Sequence, residues 1–297
     1  MGNSPLHHRA LREILRAFVV AASVLLASSA VSAGMRTSLS APGHEKITVR
    51  LKTIPARLVA GKPATLFISI TGPEGKPVQG LTVMHERIMH VIITGQDFSR
   101  FAHIHPEDFE RLTPGVIKKA GFRLRYAFPE GGRYAVGTSF AVRGRMVSRH
   151  FILEVSGRPE MGPPKTDLSR EKRFDGYEVT LTPTGTIRAG KETSFRYLIH
   201  KNGKPAADLG PYLGAPMHIA IISDDLKYFA HIHGELPGET MPPMGKDEEE
   251  GMRMTPQKFG PEIDFHMLFP AKGVYQIFGQ FKGGGKVVLT SFMVEAR

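Results

Sequence analysis

Two segments of the chain carry histidines two residues apart, His103-Ile104-His105 and His231-Ile232-His233. On a β-strand, side chains at i and i+2 share a face, with α-carbons about 6–7 Å apart, and two imidazoles can close around one ion across that span. A third histidine precedes each pair, His90 and His218, in the strand-like runs 90–94 and 217–222. A short connection joins 217–222 to 229–233, which predicts an antiparallel hairpin. Ile222 opposite Phe229 sets His218 opposite His233, and a two-residue slip sets it opposite His231; directly opposed residues share a face. Either register gathers all three histidines, and the same parity gathers His90 with His103 or His105. The reverse face carries Met217, Ile219, Ile221, Ala230 and Ile232 and reads as core.

Three neutral imidazoles with an open fourth position suit zinc, copper or nickel, with copper(II) bound tightest by the Irving–Williams order. His266 stands where the first segment has Arg125 and offers a candidate fourth nitrogen. Met241, Met244, Met252 and Met254 add thioethers, which suit copper(I), or cap a loop. The metal reading rests on His90, His103, His105, His218, His231, His233 and His266. The plainer reading makes the histidines packing and hydrogen-bonding groups. His85, His150 and His200 have no counterpart in the other segment and read as structural or exposed. The chain has no cysteine, which removes disulfides, thiolate zinc sites, cysteine nucleophiles and blue-copper centres. The charge run 246–250 lacks the spaced oxygens of a calcium loop and reads as a solvated face.

The segments belong to a duplication. Met89-His90-Val91-Ile92-Ile93 matches Met217-His218-Ile219-Ala220-Ile221, and Phe101-Ala102-His103-Ile104-His105 matches Phe229-Ala230-His231-Ile232-His233, both at an offset of 128, with Asp97 against Asp225 between them. Ala60-Gly61-Lys62 matches Ala189-Gly190-Lys191 at 129, and Phe128-Pro129 to Tyr134 matches Phe269-Pro270 to Tyr275 at 141. The jump places a 13-residue insertion after His233. Copy one spans about 44–156, a proline-rich charged linker 157–173, and copy two 174–297. Short β-rich runs (64–70, 90–94, 122–128, 151–155, 194–200, 217–222, 287–294) alternate with Gly and Pro turns, with no long helical period among them. Many short, evenly spaced strands predict an all-β fold of two tandem antiparallel β-sandwiches. Tyr134 and Tyr275 are expected as corner tyrosines entering a late strand.

Arg9, Arg12 and Arg16, an apolar run 17–31 and the close Val31-Ser32-Ala33 have the form of a secretory signal helix over 1–33, cleaved after Ala33; an uncleaved anchor is the alternative. Export predicts a periplasmic or secreted protein with no stable membrane span after cleavage. The net charge of +11 is dispersed rather than clustered with aromatics, so no nucleic-acid partner is expected.

Met-His followed by a hydrophobic run, then Asp-x-x-x-Phe-x-His-x-His, then Phe-Pro-x-x-Gly-x-Tyr, resembles bacterial secreted immunoglobulin- or cupredoxin-like domains associated with heavy-metal, especially copper, handling. Met89-His90, Asp97 to His105 and Phe128 to Tyr134 carry the likeness, and again Met217-His218, Asp225 to His233 and Phe269 to Tyr275. Cupredoxins keep a cysteine after the late-strand tyrosine. Gly137 and Gly279 stand near that place, so the resemblance implies the scaffold and not electron transfer. The histidine trio and the methionines point to a non-catalytic carrier or sequestering factor for copper, with zinc as the alternative cofactor. Two other readings remain: an envelope protein–protein interaction module without metal, and a cupin-like metalloenzyme using His103, His105 and Glu110. The cupin's later histidine motif is missing from both copies.

Overall fold

The computed structural model describes residues 47–158, 162, 164–239 and 255–297. The leader and the four loop methionines, Met241, Met244, Met252 and Met254, lie outside the described residues, as does the run 246–250. Among the described residues no helix is long and apolar enough to cross a membrane.

The first copy contains β1 (Thr48–Ile54), β2 (Leu58–Val59), β3 (Pro63–Thr71), β4 (Leu81–Thr82), β5 (His90–Gly95), β6 (Phe101–Ile104), β7 (Gly121–Ala127), β8 (Gly132–Val142) and β9 (Arg145–Ser156). One sheet runs β1-β3-β7; the other runs β2-β9-β8-β5-β6, with β4 beside β8. β2 pairs with β9 in parallel and the other pairings are antiparallel. This is an immunoglobulin-like sandwich, three strands facing a larger sheet. Between β6 and β7 lie a 3-10 turn, Pro106–Asp108, and a short helix α1, Pro114–Lys119. The helix was not expected from the sequence. Its start is set by Thr113, whose side chain accepts the Val116 N–H, and by Pro114 at the first helical position.

The second copy repeats the plan. It contains β10 (Glu171–Phe174), β11 (Tyr177–Pro183), β12 (Glu192–Lys201), β13 (Lys204–Pro205), β14 (His218–Ser223), β15 (Phe229–His233), β16 (Glu262–Leu268), β17 (Gly273–Gly283) and β18 (Lys286–Ala296). One sheet runs β10-β11-β12-β13 with β16 on β12; the other runs β15-β14-β17-β18. β10 starts inside the stretch expected as linker, because 171–174 turn back on Tyr177–Thr180 as a hairpin edge.

Both corner tyrosines close as expected. The Tyr134 hydroxyl donates to the Glu130 carbonyl at 3.1 Å and the Tyr275 hydroxyl to that of Ala271 at 2.8 Å. Alternation along β3 sends Ala64, Leu66, Ile68 and Ile70 inward. β5 and β14 behave differently: every residue of each is buried. One face of each lines its own sandwich core, with Val91 and Ile93 in the first copy and Ile219 and Ile221 in the second. The other face is buried against the other copy. Ile92, Phe98 and Ala135 pack there with Ala220, Ile222, Leu226, Phe229, Phe278 and Met293. The six-stranded sheet of the first copy thus stacks face to face on the four-stranded sheet of the second, and the described residues belong to one compact unit.

Candidate metal centre

The hairpin register of the second copy is the first of the two that parity allows: Ile222 pairs with Phe229 and His218 with His233. In the first copy Val91 pairs with Ile104 and Ile92 with His103, which carries His90 toward His105, their ring centroids 5.0 Å apart. Asp97 and Asp225 make the turns. The Oδ1 of each accepts a backbone N–H two residues on, from Ser99 and Lys227.

Each trio was expected on its own sandwich face, as a separate site. The stacked sheets instead bring the trios together. One ring nitrogen from each of His90, His103, His218 and His231 lies within 4.8 Å of one from each of the others. The rings of His90 and His231 stand 4.9 Å apart, those of His103 and His231 5.3 Å. His105 packs on His103 at 4.6 Å, and His233 on His218 at 4.7 Å.

Partners on the outside of the first trio fix which nitrogens carry hydrogen. His90 Nε2 lies 3.2 Å from the Met84 carbonyl oxygen. A carbonyl has no proton to give, so Nε2–H donates and Nδ1 keeps a bare lone pair. His105 Nδ1 lies 3.1 Å from Asp108 Oδ2, and a carboxylate likewise only accepts, so His105 Nε2 is bare. His103 Nδ1 donates to Gln280 Oε1 of the second copy at 2.7 Å, leaving its Nε2 bare. Those inner nitrogens face one another: His90 Nδ1 is 3.0 Å and His105 Nε2 3.1 Å from His103 Nε2. Even with the Gln280 amide turned over, one proton on His103 would serve two lone pairs. Hydrogen bonding alone therefore leaves the arrangement unsatisfied, while a cation among the nitrogens satisfies it.

The second copy mirrors this. His231 Nδ1 is 2.7 Å from the Ser139 hydroxyl of the first copy, and its Nε2 is 3.3 Å from His218 Nδ1. Ser139 pairs with His90 across β8 and β5 as Gln280 pairs with His218 across β17 and β14. Each copy therefore supplies, from the same sheet position, the outer partner for the other copy's middle histidine.

Burial keeps the rings neutral, the form that binds metal. It lowers His103 to about 4, and lowers His105 to about 2 with help from His103 and Arg87. His90, His218, His231 and His233 are held well below the ordinary histidine value by burial first and by neighbouring histidines second. The donor set fits the expected ions. Metal–nitrogen bonds of about 2.0–2.1 Å in a tetrahedron separate the nitrogens by about 3.3 Å. The 3.0 and 3.3 Å contacts within each copy match that, and ring rotation must close the remaining gaps.

His266 does not join the cluster. It lies on β16 in the opposite sheet, paired with Ser194, and its outward ring meets the Ser194 hydroxyl at 2.8 Å. Its counterpart Arg125 is equally outward on β7. Glu110 is drawn off as well, its carboxylate accepting the Arg123 N–H.

Sequence reasoning missed the outer partners and one ring. His85, read as structural or exposed, stacks on His233 with centroids 3.7 Å apart, and burial lowers it to about 4. Its backbone φ of +49° marks it as a turn residue, outside any strand period that could have signalled it. His150, also read so, is buried at the interface, its Nε2 3.1 Å from the Leu226 carbonyl.

A family model matches the chain twice, over 43–157 and 172–297, and the chain belongs to that family, described as "Domain of unknown function (DUF8832)". No curated protein matches. Among solved structures, chicken CNTN1 FN1-FN3 domains share 7% identity at a TM-score of 0.21, over 90% of this chain and 69% of that one. Salmonella alpha-2-macroglobulin reacted with methylamine shares 13% (TM-score 0.24) over 90% of this chain and 15% of that one. Native E. coli alpha-2-macroglobulin shares 10% (0.27) over 87% and 16%. The chain thus spans about a sixth of the macroglobulins. Scores this low carry no argument, and the immunoglobulin-like fold rests on the strand order itself.

Proposed function

We propose that the protein is a non-catalytic metal-binding protein, a carrier or sequestering factor, whose ion sits between its two sandwiches. The observation carrying this is the convergence of three bare imidazole nitrogens at 3.0–3.1 Å, fixed by acceptors behind them and completed by His218 and His231 from the other copy. His90, His103, His218 and His231 would hold the ion. Asp108, through His105, would supply negative charge. All-nitrogen donors suit copper or zinc, with copper(II) favoured by the Irving–Williams order. Export through the leader belongs to the same proposal.

The test is metal content of the untagged chain after loading with copper(II) or zinc(II) and desalting. Retained ion that falls in the His103→Ala/His231→Ala pair supports the reading. A chain that retains none is not a metal carrier. The second reading, an interaction module in which the histidines only join the two copies, is favoured by the hydrogen bonds to Ser139 and Gln280. It expects the same pair of substitutions to lower stability while metal content stays at zero throughout.

A further inference from the structure

His85, His218 and His233 form a second group whose ring nitrogens lie within 4.8 Å of one another. Three nitrogens of these same residues, His85 Nδ1, His218 Nε2 and His233 Nε2, are buried with no hydrogen-bond partner. The Leu213 carbonyl lies near His218, but no hydrogen bond of normal geometry reaches its Nε2. A buried polar nitrogen left unpaired is costly, and three together are hard to keep unless something fills the space between them. The His85 ring comes from the turn between β4 and β5 of the first copy and crosses to the second, 3.7 Å from His233 and 5.6 Å from His218. The four-histidine group meets His218 on its other side, where Nδ1 faces His231.

We infer that His85, His218 and His233 are a second seat for a cation of the same class, copper or zinc, joined to the first through the ring of His218. This rests on the proposed function and extends it: the chain holds two ions, not one. The shared ring offers Nδ1 to one seat and Nε2 to the other. With both seats full it binds as an imidazolate, and its one ring proton passes to solvent. Three nitrogens leave an open position on the second ion for water or an incoming ligand.

The experiment is a zinc(II) titration of the full chain, followed by native mass spectrometry and by calorimetry in buffers of different ionisation enthalpy. His85→Asn suits the turn, since asparagine tolerates positive φ, and His233→Ala removes a ligand from the other copy. The wild type is expected to take two ions, with release of an extra proton on the second. Each variant is expected to take one ion, with the metal-free melting temperature checking that each is folded. His103→Ala should spare the second seat, and adding His85→Asn should then abolish binding. One ion in the wild type, undiminished in His85→Asn and His233→Ala, overturns the second seat and leaves the first. No ion in the wild type overturns both.

Discussion

At the scale of single residues, the groups behind the histidines matter as much as the rings. Gln280 accepts from His103 Nδ1, and Ser139 pairs with His231 Nδ1. Partners of this kind set the tautomer of a ligand, and losing one typically lowers metal affinity 10–100-fold. Gln280→Leu is therefore expected to weaken copper or zinc binding by about that factor, read by competition with a chelator of known affinity. A second residue-scale prediction concerns Gly137. A Cβ there would stand 2.2 Å from the ring of Phe229, so the two copies meet closely only because this position has no side chain. Gly137→Ala is expected to destabilise the protein by about 1–3 kcal/mol, measured as a lowered urea midpoint. Neither role was legible beforehand. A glycine, a serine and a glutamine in late strands carry no signal until their position is known to face a second sheet.

At the scale of elements, the parity of a hairpin made much of the site readable. The side-chain period of two leaves no freedom once Ile222 meets Phe229, so the histidine face and the core face separate from the sequence alone. The repeat misled at His266. Its ring stands outward in the sheet built by β12 and β16, and alignment with Arg125 does not say which sheet a strand joins. His85 escaped for the opposite reason, since a turn has no period. The corner tyrosines belong to this scale too. Tyr134→Phe or Tyr275→Phe removes two hydrogen bonds, one donated to the Glu130 or Ala271 carbonyl and one accepted from the same residue's N–H, at about 1–2 kcal/mol together. Each is expected to lower the melting temperature without changing metal content, which separates fold from site.

At the scale of the whole molecule, the complete burial of β5 and β14 was the sign that two sandwiches share one interface. The sequence showed apolar residues such as Ile92 and Ala220 on the histidine faces, yet nothing in a single chain said what covered them. That burial also sets a pH dependence. The histidines are depressed in the folded state, so below about pH 6.5 the unfolded chain binds more protons than the native one, and stability falls with falling pH. His85 and His103, lowered to about 4, each contribute a loss of about 2 kcal/mol by pH 5. The metal-free melting temperature is expected to be level above about pH 7 and to drop between pH 6.5 and 4. A flat profile there would show that the rings are not buried as described. The reciprocal contacts, His103 with Gln280 and His231 with Ser139, are those of an isologous pair, each half doing to the other what is done to it. In two separate chains such a pair would come apart on dilution. Here the connection from Ser156 to Glu171 ties the halves together at an effective concentration in the millimolar range. Histidines split between two domains therefore behave as one preassembled set, as complete in a nanomolar solution as in a concentrated one.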